Sequence, residues 1–180
     1  MAVVATPVID YSGSFHLQLP PSGVWATIEH IDRLQRWWPW LHDLRVEGTG
    51  LQPGVLLHGV VDPPVPYCMR VDVELVSCTA PWAIDAAVHG DLRGPAHLRL
   101  RPEGSGTRAE VAWSVEMMQP AMRLASRVAH PLLQWGHDRV VESTLRGFRR
   151  QVEQAWREQS PPASGGEPRD AAPDGRRGAG

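Results

Sequence analysis

The chain has 180 residues, which is the size of one ordinary domain and too short for two. Its hydrophobic content of 42%, charged content of 21% and formal net charge of −2 are typical of a soluble globular protein and give no general attraction to nucleic acid or anionic lipid. No apolar run is long enough to cross a bilayer, and residues 1–9 lack the pattern of a secretory signal. We therefore expect a cytoplasmic protein, a monomer or homodimer, with neither nucleic-acid binding nor membrane insertion.

The first forty residues predict one strand and two short helices. Residues 1–13 show no sustained period and are expected to form a loose arm, whereas apolar and polar residues alternate over Ser14–Leu19, which predicts the first strand. Ser22 is the predicted N-cap of a helix with helix-spaced apolar residues. A second short helix is expected over Asp32–Trp38 and should end at Pro39.

From Leu41 onward the hydrophobic period changes to two, and turn residues divide the chain into short segments. Short strands joined by short turns pair antiparallel, and their regular alternation predicts one apolar and one polar face. The fold class is therefore α+β, with a seven-stranded antiparallel sheet. The six further strands are centred on Leu44–Val46, Val55–Val61, Tyr67–Leu75, Trp82–Val88, Leu98–Leu100 and Val111–Met117.

A long amphipathic helix is predicted over Gln119–Trp156, with one apolar stripe that should cover the apolar face of the sheet. Pro120 marks its start, and Pro131 lacks an N–H and should bend it. The residues beyond it are rich in Pro, Gly and charge. We therefore expect one folded domain at residues 14–158, followed by a disordered tail at 159–180.

Several kinds of site are not supported by the residue pattern. Cys68 and Cys78 lie in one predicted strand, where ten residues would separate them by ~30 Å, so they cannot form a disulfide with one another. His130 and His137 are two helical turns apart, too far to share a metal ion. No phosphate-binding loop or serine nucleophile motif is present. We expect neither a metal nor a cofactor.

His137 is the candidate general acid or base, because it lies within the apolar stripe of the predicted long helix and imidazole transfers protons near neutral pH. Thr144, two turns further along the helix, and Tyr67 are its candidate partners. The alternative is a structural histidine that is hydrogen-bonded within the core to a backbone carbonyl, to Tyr67 or to Thr144.

A curved sheet covered by a helix encloses a space that can hold a ligand. The predicted inward positions are almost wholly apolar and would suit an apolar or aromatic molecule, although some of these side chains must simply fill the core. The candidate ligand-binding residues are Trp38, Met69, Val71, Val73, Ile84, Val111, Trp113, Val115, Leu133, Val141 and Phe148.

This order of elements resembles the START/Bet v1-like superfamily, and within it the bacterial SRPBCC proteins of the polyketide cyclase/dehydrase type. The segments that carry the resemblance are VWATIEHIDRLQRWWPWLHDLRVEG, AVHGDLRGPAHLRLRPEGSGTRAEVAWSVEM and HPLLQWGHDRVVESTLRGFRR. The resemblance implies a helix-grip fold with a deep apolar cavity between the sheet and the C-terminal helix. It supplies no invariant catalytic motif to transfer to this chain.

Two classes of function follow from the resemblance. A cofactor-independent cyclase/dehydratase-like enzyme would fold an apolar, carbonyl-rich substrate and assist ring closure or dehydration. A non-catalytic carrier would bind a lipid-like or aromatic molecule and would need no polar pair inside the cavity. A third and weaker possibility is a co-chaperone-like interaction module, which should display an exposed apolar patch.

Overall fold

The computed structural model describes residues 8–62, 68–119, 141–144, 146–151, 153–154 and 157. Within these residues the fold is one antiparallel sheet of seven strands in the spatial order β1-β7-β6-β5-β4-β3-β2. This arrangement confirms the predicted seven-stranded antiparallel sheet. The strands are β1 (Val8–Leu17), β2 (Leu41–Glu47), β3 (Leu56–Val61), β4 (Met69–Thr79), β5 (Ala83–Gly90), β6 (Leu92–Glu103) and β7 (Gly106–Met117).

Two short helices connect the edge strands β1 and β2. α1 spans Pro21–Ile28, and a 3-10 turn at Ile31–Arg33 leads into α2 at Leu34–Trp37, as predicted. The predicted N-cap is wrong, because Pro20 occupies that position and Ser22 lies inside the first turn. Proline suits the first turn of a helix because its fixed φ is already helical and its missing N–H needs no acceptor there.

Strand β1 begins earlier than the alternation predicted. It starts at Val8, opposite Glu116, and continues to Leu17, opposite Thr107, so the predicted loose arm is wrong for residues 8–13. The pairing with β7 along the whole strand supplies hydrogen bonds that the local sequence pattern does not reveal. The predicted tail at 159–180 lies outside the described residues.

The sheet has an inner face that carries the core and an outer face that is polar. On β7, Ala109, Val115 and Met117 are buried on the inner face, while Arg108 and Ser114 on the outer face are exposed. This period-two alternation is what a sheet covered on one side requires. Among the described residues the core falls into two groups, a main cluster near α1 and α2 and a smaller one around Met69 and Met117.

The C-terminal segment is helical at residues 141–144, 146–151, 153–154 and 157, which we name α3. Val141 and Phe148 are 9% and 8% exposed, and Phe148 belongs to the main core cluster, so α3 packs on the inner face. The prediction of a C-terminal helix is confirmed for these residues. Pro120 and Pro131 lie outside the described residues, and the predicted bend remains a prediction.

The outer face is stabilised by a network around Asp85 on β5. Its carboxylate accepts hydrogen bonds from Ser77 at 2.8 Å and Arg99 at 2.5 Å, and His97 Nδ1 lies 2.7 Å away. These contacts, led by the Arg99 hydrogen bond, hold the pKa of Asp85 well below its usual range. Arg99 also donates to the carbonyl oxygen of Ile84, so the network ties side chains to the strand itself.

Replacing Phe148 tests the docking of α3 on the sheet. We expect Phe148→Ala to lower the free energy of unfolding by about 3–5 kcal/mol, because a buried aromatic ring is lost and a cavity remains. The neighbouring Arg149 is exposed, and Arg149→Ala should change stability by less than about 0.5 kcal/mol. Urea unfolding of both variants measures the difference, and equal stabilities would contradict this docking.

Replacing Asp85 tests the outer network through pH. Because the pKa of Asp85 is lower in the folded chain than in the unfolded chain, its carboxylate stabilises the fold above the ordinary aspartate pKa of about 4. That stabilisation is lost as the pH falls through the lowered folded pKa. We expect wild type to exceed Asp85→Asn in stability at pH 5 and the difference to shrink only in strong acid.

Urea unfolding from about pH 5 downward measures this difference. Asp10→Asn on the exposed surface of β1 is the control and should change stability little at pH 5. A stability difference between wild type and Asp85→Asn that grows as the pH falls would contradict the network.

Candidate functional site

One row of inner-face residues crosses five strands at the middle of the sheet. Tyr11 on β1 lies opposite Trp113 on β7, which lies opposite Ala96 on β6. The row continues through Ala86 on β5 to Leu75 on β4. Two alanines with small side chains therefore sit beside a tryptophan, and Ala86 packs at the edge of the main core cluster. We call the surface over Ala86 and Ala96, bounded by Trp113 and Tyr11, the recess.

An aromatic pair forms one wall of the recess. The rings of Tyr11 and Trp113 stack with centroids 4.3 Å apart and an interplanar angle of 25°. The Tyr11 ring leans over Gly13, where a Cβ atom would collide with the phenol, so a larger residue there would force the ring to move. The pair offers a flat apolar surface, with the phenol group as its polar end.

The rows on either side of the recess complete an apolar surface. Tyr11, Trp113, Ala96 and Ala86 are partly exposed, whereas Leu100 towards one end of the inner face is 2% exposed. Five predicted ligand-binding residues lie on the inner face in or beside the recess, namely Val73, Ile84, Val111, Trp113 and Val115.

The remaining predicted ligand-binding residues of the sheet and of α2 lie further from the recess. Met69 and Val71 belong to the smaller core cluster towards one end of the inner face. Trp38 is partly buried beside the main cluster and stacks on Trp40.

The described part of α3 carries three predicted site residues. Val141, Thr144 and Phe148 are spaced three and four apart, which places them on one stripe of the helix. Val141 and Phe148 are buried, so this stripe packs against the protein, and Thr144 is partly buried.

The two other candidate catalytic residues, His137 and Tyr67, lie outside the described residues, as does Leu133. Their proposed roles therefore remain predictions.

Tyr11, like Ala86 and Ala96, belongs to the recess but was not among the predicted ligand-binding residues. It falls in the predicted loose arm, although Ile9 and Tyr11 continue backwards the alternation of Phe15 and Leu17. Gly13 interrupts that apolar pattern, and its small size is what allows the Tyr11 ring to lean over it. Extending the period-two pattern across a glycine would have found this residue.

The thiol nearest the recess is held in its neutral form. Burial raises the pKa of Cys78, which lies opposite Ile84, and the charge of Asp85 raises it further. A neutral thiol is a poor nucleophile and a poor metal ligand. Across the described ranges, no group of three His, Cys, Asp or Glu side chains is placed to hold a metal ion.

A second depression of about 390 Å³ lies mainly against the outer face, between β1, β7 and β6. Its charged residues are engaged with neighbours: Arg99 binds Asp85, and Glu110 lies 3.5 Å from Arg101 and 3.9 Å from Arg108. The charged side chains that line this depression are therefore already paired with side chains of the sheet. The recess on the inner face is therefore the stronger candidate site.

Solved structures share this fold at low sequence identity. The Thermus thermophilus protein TTHA0849 is 20% identical, with a TM-score of 0.65 over 82% of this chain and 99% of that chain. The di-domain ARO/CYC protein BexL of the BE-7585A biosynthetic pathway is 12% identical, with a TM-score of 0.63 over 81% of this chain and 50% of that chain. Ara h 8.0201 is 14% identical, with a TM-score of 0.58 over 85% of this chain and 100% of that chain.

These similarities establish the Bet v1-like helix-grip fold. Comparison with curated proteins gives no match. Within the described residues, no helix has the length and apolar character needed to span a membrane. Residues 8–153 match the family model described as polyketide cyclase / dehydrase and lipid transport, and the chain therefore belongs to this family.

Proposed function

We propose that the protein binds an apolar or aromatic small molecule between the inner face of the sheet and α3, and that it acts on this molecule as a cyclase/dehydratase-like enzyme. The observation that carries the proposal is the recess, where the small side chains of Ala86 and Ala96 lie in one row with the Tyr11–Trp113 stack. The family description, which joins polyketide cyclases, dehydrases and lipid transport, supports the same class of ligand.

The physical basis of binding is the burial of flat apolar surface. Each Å² of apolar surface removed from water contributes about 25 cal/mol, and an aromatic stack adds about 0.5–1.5 kcal/mol. A planar ligand bound at the recess would gain the contribution from buried apolar surface. Leucine at either alanine position would fill the space that such a ligand needs.

Catalysis would come from proton-transfer groups that border the bound molecule. We assign His137 as the acid or base, with Thr144 and Tyr67 as its partners, and we add the phenol of Tyr11 because it lies on the wall of the recess. Holding the substrate in a bent shape against the sheet would supply the orientation that ring closure needs.

A carrier for a lipid or another hydrophobic molecule is the second candidate function. One observation favours it: the described strand residues around the recess are apolar, with Tyr11 contributing a hydroxyl group. A carrier needs no more than this. The two functions share one binding site, so binding and turnover must be measured separately.

Filling the recess tests the binding site. We expect Ala86→Leu to weaken binding of aminoanthracene, a neutral flat fluorophore, by about tenfold or more, because the added side chain occupies the space above the sheet. Fluorescence titration of the purified protein measures the dissociation constant. Circular dichroism confirms that the variant is folded.

The adjacent Ala87 provides a matched control. It lies opposite Pro95 and points to the outer face, so Ala87→Leu adds the same side chain to the other side of the same strand. We expect this variant to bind the fluorophore as wild type does. Equal weakening by both substitutions would remove the support for a site on the inner face.

The enzymatic proposal is tested at His137. If His137 transfers a proton in the reaction, His137→Ala should reduce turnover of an aromatic polyketide precursor by about 10²–10⁴-fold and leave aminoanthracene binding nearly unchanged. Product formation is followed by liquid chromatography with mass spectrometry. Unchanged turnover would make His137 structural, and binding without any turnover by wild type would favour the carrier.

A further inference from the structure

Trp38 and Trp40 form a fixed aromatic pair where α2 joins β2. Their rings stack with centroids 5.4 Å apart and an interplanar angle of 12°. The backbone beneath them is anchored, since the N–H of Leu41 donates to the carbonyl of Trp38 at 2.9 Å and the N–H of Asp62 donates to the carbonyl of Trp40 at 2.8 Å. The orientation of both indoles is therefore set by the fold.

The indole N–H of each ring is closed off from solvent and has no hydrogen-bond acceptor among the described residues. Buried polar groups are nearly always paired, as the Thr107 hydroxyl is with the carbonyl of Leu19. Both rings remain partly exposed although their N–H atoms are shielded. Two neighbouring donors without acceptors therefore lie beside the main core cluster, and an acceptor from outside the described residues would have to displace the groups that shield them.

We propose that Trp38 and Trp40 form a subsite for a neutral oxygen acceptor, such as a ketone, quinone or ester carbonyl, on the ligand bound at the inner face. The inference rests on the proposed function and adds the chemistry of one end of the ligand. It holds equally for an enzyme and for a carrier.

The surroundings of the pair favour a neutral acceptor over a carboxylate or phosphate. Hydrophobic side chains of the main core cluster pack beside it, and Arg33 in the 3-10 turn and Arg36 in α2 are exposed. A buried anion needs a paired cation to offset its lost hydration, whereas a carbonyl oxygen needs one or two donors. An indole N–H supplies one donor and no charge.

A pair of matched dyes tests this subsite. One is a propionyl-(dimethylamino)naphthalene, and the other is its propyl counterpart, in which a methylene replaces the carbonyl. Both are titrated against wild type, Trp38→Phe and Trp40→Phe by fluorescence. Each substitution removes one indole N–H and keeps an aromatic ring. A change in packing should alter the affinity for both dyes, whereas loss of the donor should alter only the affinity for the carbonyl dye.

We expect each substitution to weaken the carbonyl dye by about three- to tenfold relative to the propyl dye, which is the range of one neutral hydrogen bond. The emission of the bound carbonyl dye should also shift to shorter wavelength when a donor is removed. Trp82→Phe is the matched control because Trp82 is 45% exposed at the β4–β5 turn, and the ratio of the two affinities should stay at its wild-type value.

The outcomes separate the subsite from the proposed function. If both dyes bind and the ratio of their affinities is the same in all four proteins, the subsite is refuted and ligand binding stands. A trapped water that satisfies both indoles would give this same result. If neither dye binds wild type, both the subsite and the proposed function fail.

Discussion

The structure depends on the alternation of side chains between the two faces of one continuous antiparallel sheet. Because the period of a strand is two, a register slip of one residue between β1 and β7 would move Tyr11 away from Trp113 and expose the core residues of the slipped strand. The row from Tyr11 to Leu75 consists of direct cross-strand neighbours. The register that keeps the core covered is therefore also the register that builds the recess.

Contacts on the outer face of the sheet stabilise the strand that carries the recess on the inner face. Asp85 lies between Ile84 and Ala86 on β5, so its network sits directly behind the recess. Arg99 links the Asp85 carboxylate to the carbonyl of Ile84, and Ser77 ties β4 to the same carboxylate. Charged hydrogen bonds on the outer face therefore fix the backbone of β5 behind the recess. The small apolar side chains on the inner face make few interactions that could hold this backbone in place.

The sequence predicted the elements of the fold better than the contents of the site. Strands β2 to β7 follow from local alternation, which needs no knowledge of their partners. The beginning of β1 does not follow in this way, because Gly13 interrupts the apolar pattern, and the stack of Tyr11 on Trp113 depends on a long-range pairing that local residues do not encode. Ser22 failed as a cap because a preceding proline pair can start a helix without one. The roles of His137 and Tyr67 remain predictions.

An enzyme and a carrier built on this sheet would differ in where polar groups meet the ligand, not in the apolar surface that holds it. The strands place the recess on a rigid floor, and the α2–β2 junction adds two indole donors held by an anchored backbone. Donors on an anchored backbone would orient a ligand that reached them as well as retain it. Orienting the ligand is enough for a carrier to select it. An enzyme also needs a proton-transfer group next to the bond that is made or broken. We therefore expect the choice between enzyme and carrier to depend on the predicted proton-transfer residues, His137 and Thr144.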